Sequence, residues 1–143
     1  MTTVAQLLQG KGSEVWSVAP DATVYDAISI MADKGVGALV VLAGQQLVGI
    51  VSERDYARKV ILQGKSSRDT PVRAIMTDRV HYVGPEQTVE ECMALMTAKR
   101  IRHLPVLRGE RLDGIVSIGD LVKALIAERE VRIQQLESYI TGG

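Results

Sequence analysis

Phenylalanine is missing from this chain of 143 residues, and aromatic side chains make up only 3% of it. Any core must therefore be aliphatic, and the aromatic platforms on which single-stranded nucleic acid stacks are not available. A surplus of one charge is missing too. Lys and Arg total 17, Asp and Glu total 17, and the formal net charge is zero, so no global field draws the chain to nucleic acid or to a membrane surface. A single cysteine, Cys92, excludes an intrachain disulfide, and two distant histidines, His81 and His103, do not complete a metal cage with it. Cys92 lies in the run ECMALM, where it reads as a small buried apolar residue. No window holds the roughly 18 uncharged apolar residues of a membrane span, and the opening MTTVAQLLQGKG lacks the basic start and apolar run of a signal peptide. The expectation is a cytoplasmic protein without a membrane anchor.

What is abundant is aliphatic residue, within a hydrophobic fraction of 46%, and it is arranged as a duplication. With the chain slid against itself by 65 positions, Val18 meets Val83 and the register runs without a gap to Tyr56 and Leu121. By direct count, 16 of those 39 pairs are identical. Each copy starts with a short extended stretch (Trp16-Ser17-Val18; His81-Tyr82-Val83) that runs into a proline. A helix follows, opened by Thr23 with Asp26 or Thr88 with Glu91 and carrying apolar residues at helical spacing: Val24, Ile28, Met31 and Val89, Met93, Met96. Two buried strands come next (ALVVL then LVGIV; HLPVL then LDGIV), and a final helix closes the copy. The fold class is α/β (α+β): two β-α-β-β-α repeats related by pseudo-twofold symmetry and packed through their sheets, with an N-terminal helix and a long C-terminal helix. The boundaries read as 1–63 for the first repeat with the N-terminal helix, 64–75 for a polar linker, 76–126 for the second repeat and 127–143 for a helical tail. Leu121, Leu125, Ile133, Leu136 and Ile140 tend to one face of the last helix.

The sharpest part of the duplication is GIVSERD at 49–55 against GIVSIGD at 114–120. Ser52 and Asp55, like Ser117 and Asp120, stand three apart where a strand becomes a helix. That spacing is a capping box, which stabilises by about 1 kcal/mol with no ligand involved. It also suits a nucleotide: serine at a helix N-terminus can hold phosphate, the carboxylate can hold ribose hydroxyls, and the preceding glycine leaves room for close approach.

With its Val-x-Pro-x-x-Thr-Val starts, its RIRHLPVL strand and its two G-I-V-S-x-x-D closures, the repeated region resembles a tandem pair of CBS domains, named after cystathionine beta-synthase. The resemblance covers roughly residues 2 to 126. It implies two clefts between the copies that bind AMP, ADP, ATP or NAD(H). S-adenosylmethionine is disfavoured by its positive charge. One cleft would use Ser117, Gly119 and Asp120 with Val18, Val36, Gly37 and Ala38. The other would use Ser52, Arg54 and Asp55 with Val83, Ile101, Arg102 and His103. The second copy carries Lys99, Arg100, Arg102 and His103 where the first has Lys34, Gly35, Gly37 and Ala38, so the clefts are not equivalent. The site edged by Arg54 and Arg102 is expected to be the tighter for anionic nucleotides.

The remaining signals point away from catalysis. There is no phosphate-binding Walker loop, no G-x-S-x-G elbow and no H-E-x-x-H pair, and Ser52 and Ser117 have no histidine at a matching position in both copies to act as a base. The basic run KRIRH is too short for a nucleic-acid footprint. The expected function is a free-standing, non-catalytic sensor of adenosine ligands that signals through an effector protein or through assembly. A homodimer is expected to form through Ile28, Met31, Met93 and Met96 and the C-terminal helix. The competing expectation is an interaction module with empty clefts, in which both motifs only cap helices.

Overall fold

The computed structural model describes residues 1–140. The chain divides into two compact units, one of residues 14–81 and the other of residues 1–13 together with 82 onward. The first unit holds β1 (Ser17–Val18), α2 (Val24–Lys34), β2 (Ala38–Ala43), β3 (Gln46–Ser52) and α3 (Glu53–Tyr56), and the second holds α1 (Val4–Lys11), α4 (Val89–Lys99), β4 (His103–Arg108), β5 (Arg111–Ser117) and α5 (Ile118–Ile140).

The repeat is visible bond by bond. The β2–β3 and β4–β5 hairpins are antiparallel, turn at glycines with positive φ (Gly44 and Gly109), and shift register at matching places, Val41/Leu42 and Val106/Leu107. Thr88 and Glu91 form a complete capping box at α4, whereas at α2 only the Thr23 hydroxyl accepts from the Asp26 N–H. α2 ends on Gly35 at φ 66°, and α4 ends on Arg100 at φ 56°, the one non-glycine residue with positive φ among the described residues.

One strand differs. β1 pairs in parallel with β2, while its counterpart in the second repeat is reduced to a single bridge, Val83 to Val106. The cause is Pro105. In the first repeat the Val40 N–H donates to the Trp16 carbonyl at 3.3 Å; proline at the matching position 105 has no N–H to give.

Both cores are aliphatic. Val18, Val24, Ala27, Met31, Leu39, Val41, Val51 and Val60 bury together in the first unit, and Val83, Val89, Cys92, Met96, Leu104, Val106, Val116 and Leu121 in the second. Cys92 is fully buried, and burial followed by the nearby Glu91 pushes its thiol up to about 11. Met31 and Met96, expected to face a second copy, are 2% exposed inside their own cores.

The duplication extends further than the register of 65. Residues 71–75, the end of the expected linker, and Met76, the expected start of the second repeat, instead cover the first repeat: Val72 N–H donates to the Ala22 carbonyl at 2.8 Å, and Ile75 is 1% exposed. Residues 3–8 cover the second repeat in the same manner, Val4 N–H donating to the Gln87 carbonyl at 2.8 Å with Val4 and Leu7 buried. The two covers match at an offset of 68. Each precedes one repeat and folds onto the other, so α1 belongs with the second repeat and not with the first. Gly49 and Gly114 make room for them. A Cβ at Gly49 would lie 2.7 Å from Met76 Sδ, and one at Gly114 would lie 3.0 Å from Leu8 Cδ2.

The closing helices differ in length. After α3 the chain winds wider over Ala57–Ile61, with five-residue bonds from Leu62 N–H to the Ala57 carbonyl and from Lys65 N–H to the Val60 carbonyl. α5 runs on to Ile140. Its inner face carries Leu121, Ala124 and Leu125 in contact with the core, and every residue from Arg129 to Ile140 is exposed. The sequence places Ile133, Leu136 and Ile140 on the face of Leu121. At 100° per residue they lie instead about 60–120° around the helix from it, in line with the exposed Val122 and Ile126.

Candidate functional site

Both Ser-x-x-Asp motifs fold as capping boxes. In the first repeat Asp55 N–H donates to Ser52 Oγ at 3.2 Å, and Asp55 Oδ2 accepts from Ser52 N–H at 3.0 Å and from the Ser52 hydroxyl at 3.1 Å. In the second, Asp120 N–H donates to Ser117 Oγ at 3.2 Å and Asp120 Oδ2 accepts from Ser117 N–H at 2.8 Å. A single carboxylate oxygen, Oδ2, serves each box, and Oδ1 stands outside it. Both aspartates are half-buried in the first turn of the helix that follows the strand.

Each aspartate also has a lysine, and the two lysines have different origins. Lys59, one turn along the closing segment, places its ammonium 3.2 Å from Asp55 Oδ1 and 2.9 Å from the Ile75 carbonyl. The matching position in the second repeat is Ala124. There Lys11, at the end of α1, places its ammonium 2.6 Å from Asp120 Oδ2 and 2.6 Å from the Ile115 carbonyl. No register of the repeat links Lys11 to Asp120, so sequence reasoning passed it over. The available signal was the V-x-x-[LI]-[LM] pattern shared by 4–8 and 72–76, which shows what α1 covers.

Around each motif sits the strand start of the same repeat. Ala38 is the register partner of Ser52, and Glu53 N–H donates to the Gly37 carbonyl at 3.0 Å. His103 is the partner of Ser117, and Ile118 N–H donates to the Arg102 carbonyl at 2.9 Å. Val36 and Ile101 follow the two helix ends, each donating its N–H to a methionine carbonyl, Met31 and Met96. Val18 and Val83 bury their side chains in their own cores. Within the units, then, Arg102 and His103 accompany Ser117 and Asp120, while Gly37 and Ala38 accompany Ser52, Arg54 and Asp55. Gly119, opposite Arg54 in the repeat, leaves a Cβ site 3.6 Å from Ser117 Oγ.

The electrostatics of the second motif follow from these neighbours. Burial alone would raise the Asp120 pKa, but the Lys11 and Ser117 hydrogen bonds and the Lys11 charge outweigh it and hold the carboxyl below its ordinary value. His103 is pushed down, first by burial and then by Lys11 and Arg102, against the opposing pull of Asp120. The imidazole is thus neutral at neutral pH, a hydrogen-bonding group and not a cation. Among the described residues no cluster of His, Cys, Asp and Glu could hold a metal ion, and no helix is long and apolar enough to cross a membrane.

Two segments, residues 12–61 and 72–127, match the family described as CBS domain. A mitochondrial CBS domain-containing protein of Arabidopsis thaliana, CBSX3, is 45% identical over 99% of this chain and 73% of its own length. Among solved structures, a CBS-domain protein from Burkholderia ambifaria superposes with a TM-score of 0.86 at 56% identity, covering 88% of this chain and 95% of its own. One from Agrobacterium tumefaciens superposes with a TM-score of 0.82 at 40% identity, covering 86% and 98%.

Proposed function

The chain belongs to the CBS-domain family, and from that premise we propose that it is a non-catalytic regulatory module that binds adenosine ligands, AMP, ADP, ATP or NAD(H), at its two Ser-x-x-Asp motifs. The observation that carries the reading is the division of labour within each carboxylate. Capping needs one oxygen and uses Oδ2 in both repeats, so Oδ1 remains outside the box, beside Lys59 in the first repeat. A ribose offers two adjacent hydroxyls to such a group, Ser52 and Ser117 offer hydroxyls to phosphate, and backbone at 36–38 and 101–103 offers polar groups to adenine. Nearby cations (Arg54, Lys59, Arg102 and Lys11) favour an anionic ligand over S-adenosylmethionine. The single, buried cysteine fits a reducing compartment such as the cytoplasm.

Thermal melting with and without AMP, ATP and NADH tests this in wild type, Asp55→Asn and Asp120→Asn. Ligand adds RT ln(1 + [L]/Kd) to the stability of the folded state. Loss of hydrogen bonds to a charged acceptor weakens binding by about 10- to 150-fold, so each substitution should shrink the ligand-induced shift. Equal ligand shifts in all three proteins, with only the unliganded melting temperature lowered, would leave capping as the sole role of the motif.

The output we propose is assembly with a second copy through α5, alongside an effector protein. Val122, Ile126, Arg129, Ile133, Leu136 and Ile140 alternate at spacings of four and three, a heptad seam with one charged member, and all are exposed. Isoleucine at 126, 133 and 140 with leucine at 136 suits two parallel strands. In that pairing Arg132 of one copy meets Glu137 of the other, whereas an antiparallel pairing sets arginine against arginine.

A further inference from the structure

We propose that Lys11 is the phosphate-selecting residue of the second motif, a specificity determinant delivered by α1 to a motif without a cation at the positions of Arg54 and Lys59; this rests on the adenosine-ligand reading above. The first motif carries two cations of its own, Arg54 beside Asp55 and Lys59 one turn on, and the second has Gly119 and Ala124 at those positions. Left with its own repeat, Asp120 would have Arg102 in the neighbouring strand start but no ion pair on its carboxylate at the place where a nucleotide enters. Such a group accepts ribose hydroxyls but repels the phosphate attached to them. Lys11, arriving from 109 positions away, reaches that carboxylate at 2.6 Å.

The geometry of Lys11 fits this role. An ammonium has three N–H donors. Two are directed at Asp120 Oδ2 and the Ile115 carbonyl, each at 2.6 Å, which fixes the nitrogen at the end of β5. The third is left for a ligand, and the Lys11 side chain is 31% exposed, so it is within reach of one. Asp120 keeps its charge and its Oδ1, while the pair as a whole is neutral. The site can then take the ribose on the carboxylate and the phosphate on the ammonium. Its ligand class is a nucleotide, with the nucleoside discriminated against by the missing charge-assisted bond. His103, neutral between Lys11 and Arg102, adds a hydrogen-bonding group without adding charge.

The test is calorimetry with AMP and adenosine on Asp55→Asn protein, which isolates the Asp120 site, with Lys11 intact or changed to Met, Gln or Arg. With Lys11 intact, AMP should bind about tenfold or more tightly than adenosine. Lys11→Met should bring the two affinities to within about threefold, mostly by weakening AMP, and Lys11→Arg should keep the preference. Lys11→Gln retains a donor to the Ile115 carbonyl without the charge, so it gives the same reading if the methionine variant fails to fold. Equal weakening of both ligands in Lys11→Met and Lys11→Gln would mean that Lys11 only anchors α1, and an undiminished AMP preference would mean that it takes no part. Either result overturns the role of Lys11 and leaves the adenosine reading standing. Binding of neither ligand by wild type would overturn both.

Discussion

His103 shows how a side chain that looks like a cation in the sequence becomes a pH-dependent destabiliser in the fold. Burial, Lys11 and Arg102 hold its pKa below the ordinary 6.5, with Asp120 the one charged group pulling the other way. The unfolded chain takes up the proton near 6.5 and the folded protein only at lower pH. Stability should therefore be full above about pH 6.5 and fall as the pH drops towards the folded value, with a slope of at most about 1.4 kcal/mol per pH unit. Urea denaturation of wild type and His103→Gln between pH 5 and 8 measures this. The wild-type curve should fall on the acid side and the variant curve should be flatter; parallel curves would place His103 in contact with water. The identities of Ser52, Asp55, Ser117 and Asp120 were legible because a duplication singles them out. Lys11 was not, because only one repeat has it in space and neither has it in register.

At the level of the element, α5 carries two stripes that a linear reading merges. Leu121 and Leu125 dock on the second core, and the Ile126, Ile133, Leu136 and Ile140 stripe turns outward. Apolar residues near helical spacing were plain in the sequence; which of two adjacent faces was already taken depended on the hairpin behind it. Met31 and Met96 illustrate the same point from the other side, since helical spacing marks an apolar face but not what covers it. The exposed end of the helix, residues 129–140, is short enough to be marginal in water without a partner, so the outward stripe should control association. Leu136→Asp should shift sedimentation towards smaller species, and Arg129→Leu, which completes the seam, should shift it towards larger ones at equal concentration. A sedimentation profile that neither change moves would leave α5 out of assembly. β1 and its shortened counterpart show how fine the limits on legibility are: one proline, at position 105, is enough to reduce to a single bridge a strand pairing that the repeat implies.

For the molecule as a whole, the crossed covers decide which parts stand or fall together. Leu7 packs with Cys92 in one core and Ile75 packs in the other. Either residue changed to alanine should cost about 2–5 kcal/mol. The cysteine reports which core opens, since its thiol is fully buried and reacts only when the second unit gives way. Labelling of Cys92 under native conditions should accelerate more in Leu7→Ala than in Ile75→Ala, and the reverse order would tie α1 to the first repeat. The pseudo-repeat boundaries read from the sequence went astray here because contiguity along the chain was taken for contiguity in space. The crossing also has a consequence for how the protein is made. The first repeat closes as soon as the residues through Met76 have left the ribosome. Val4, Leu7 and Leu8 emerge before it, yet their docking surface is not finished until β5 follows. Lys11 and Ile115 are 104 positions apart, and at about 5–20 residues per second that is a wait of roughly 5–20 s. For that interval the nascent chain carries an apolar segment with nowhere to lodge, a stretch of its biogenesis in which a chaperone has something to hold.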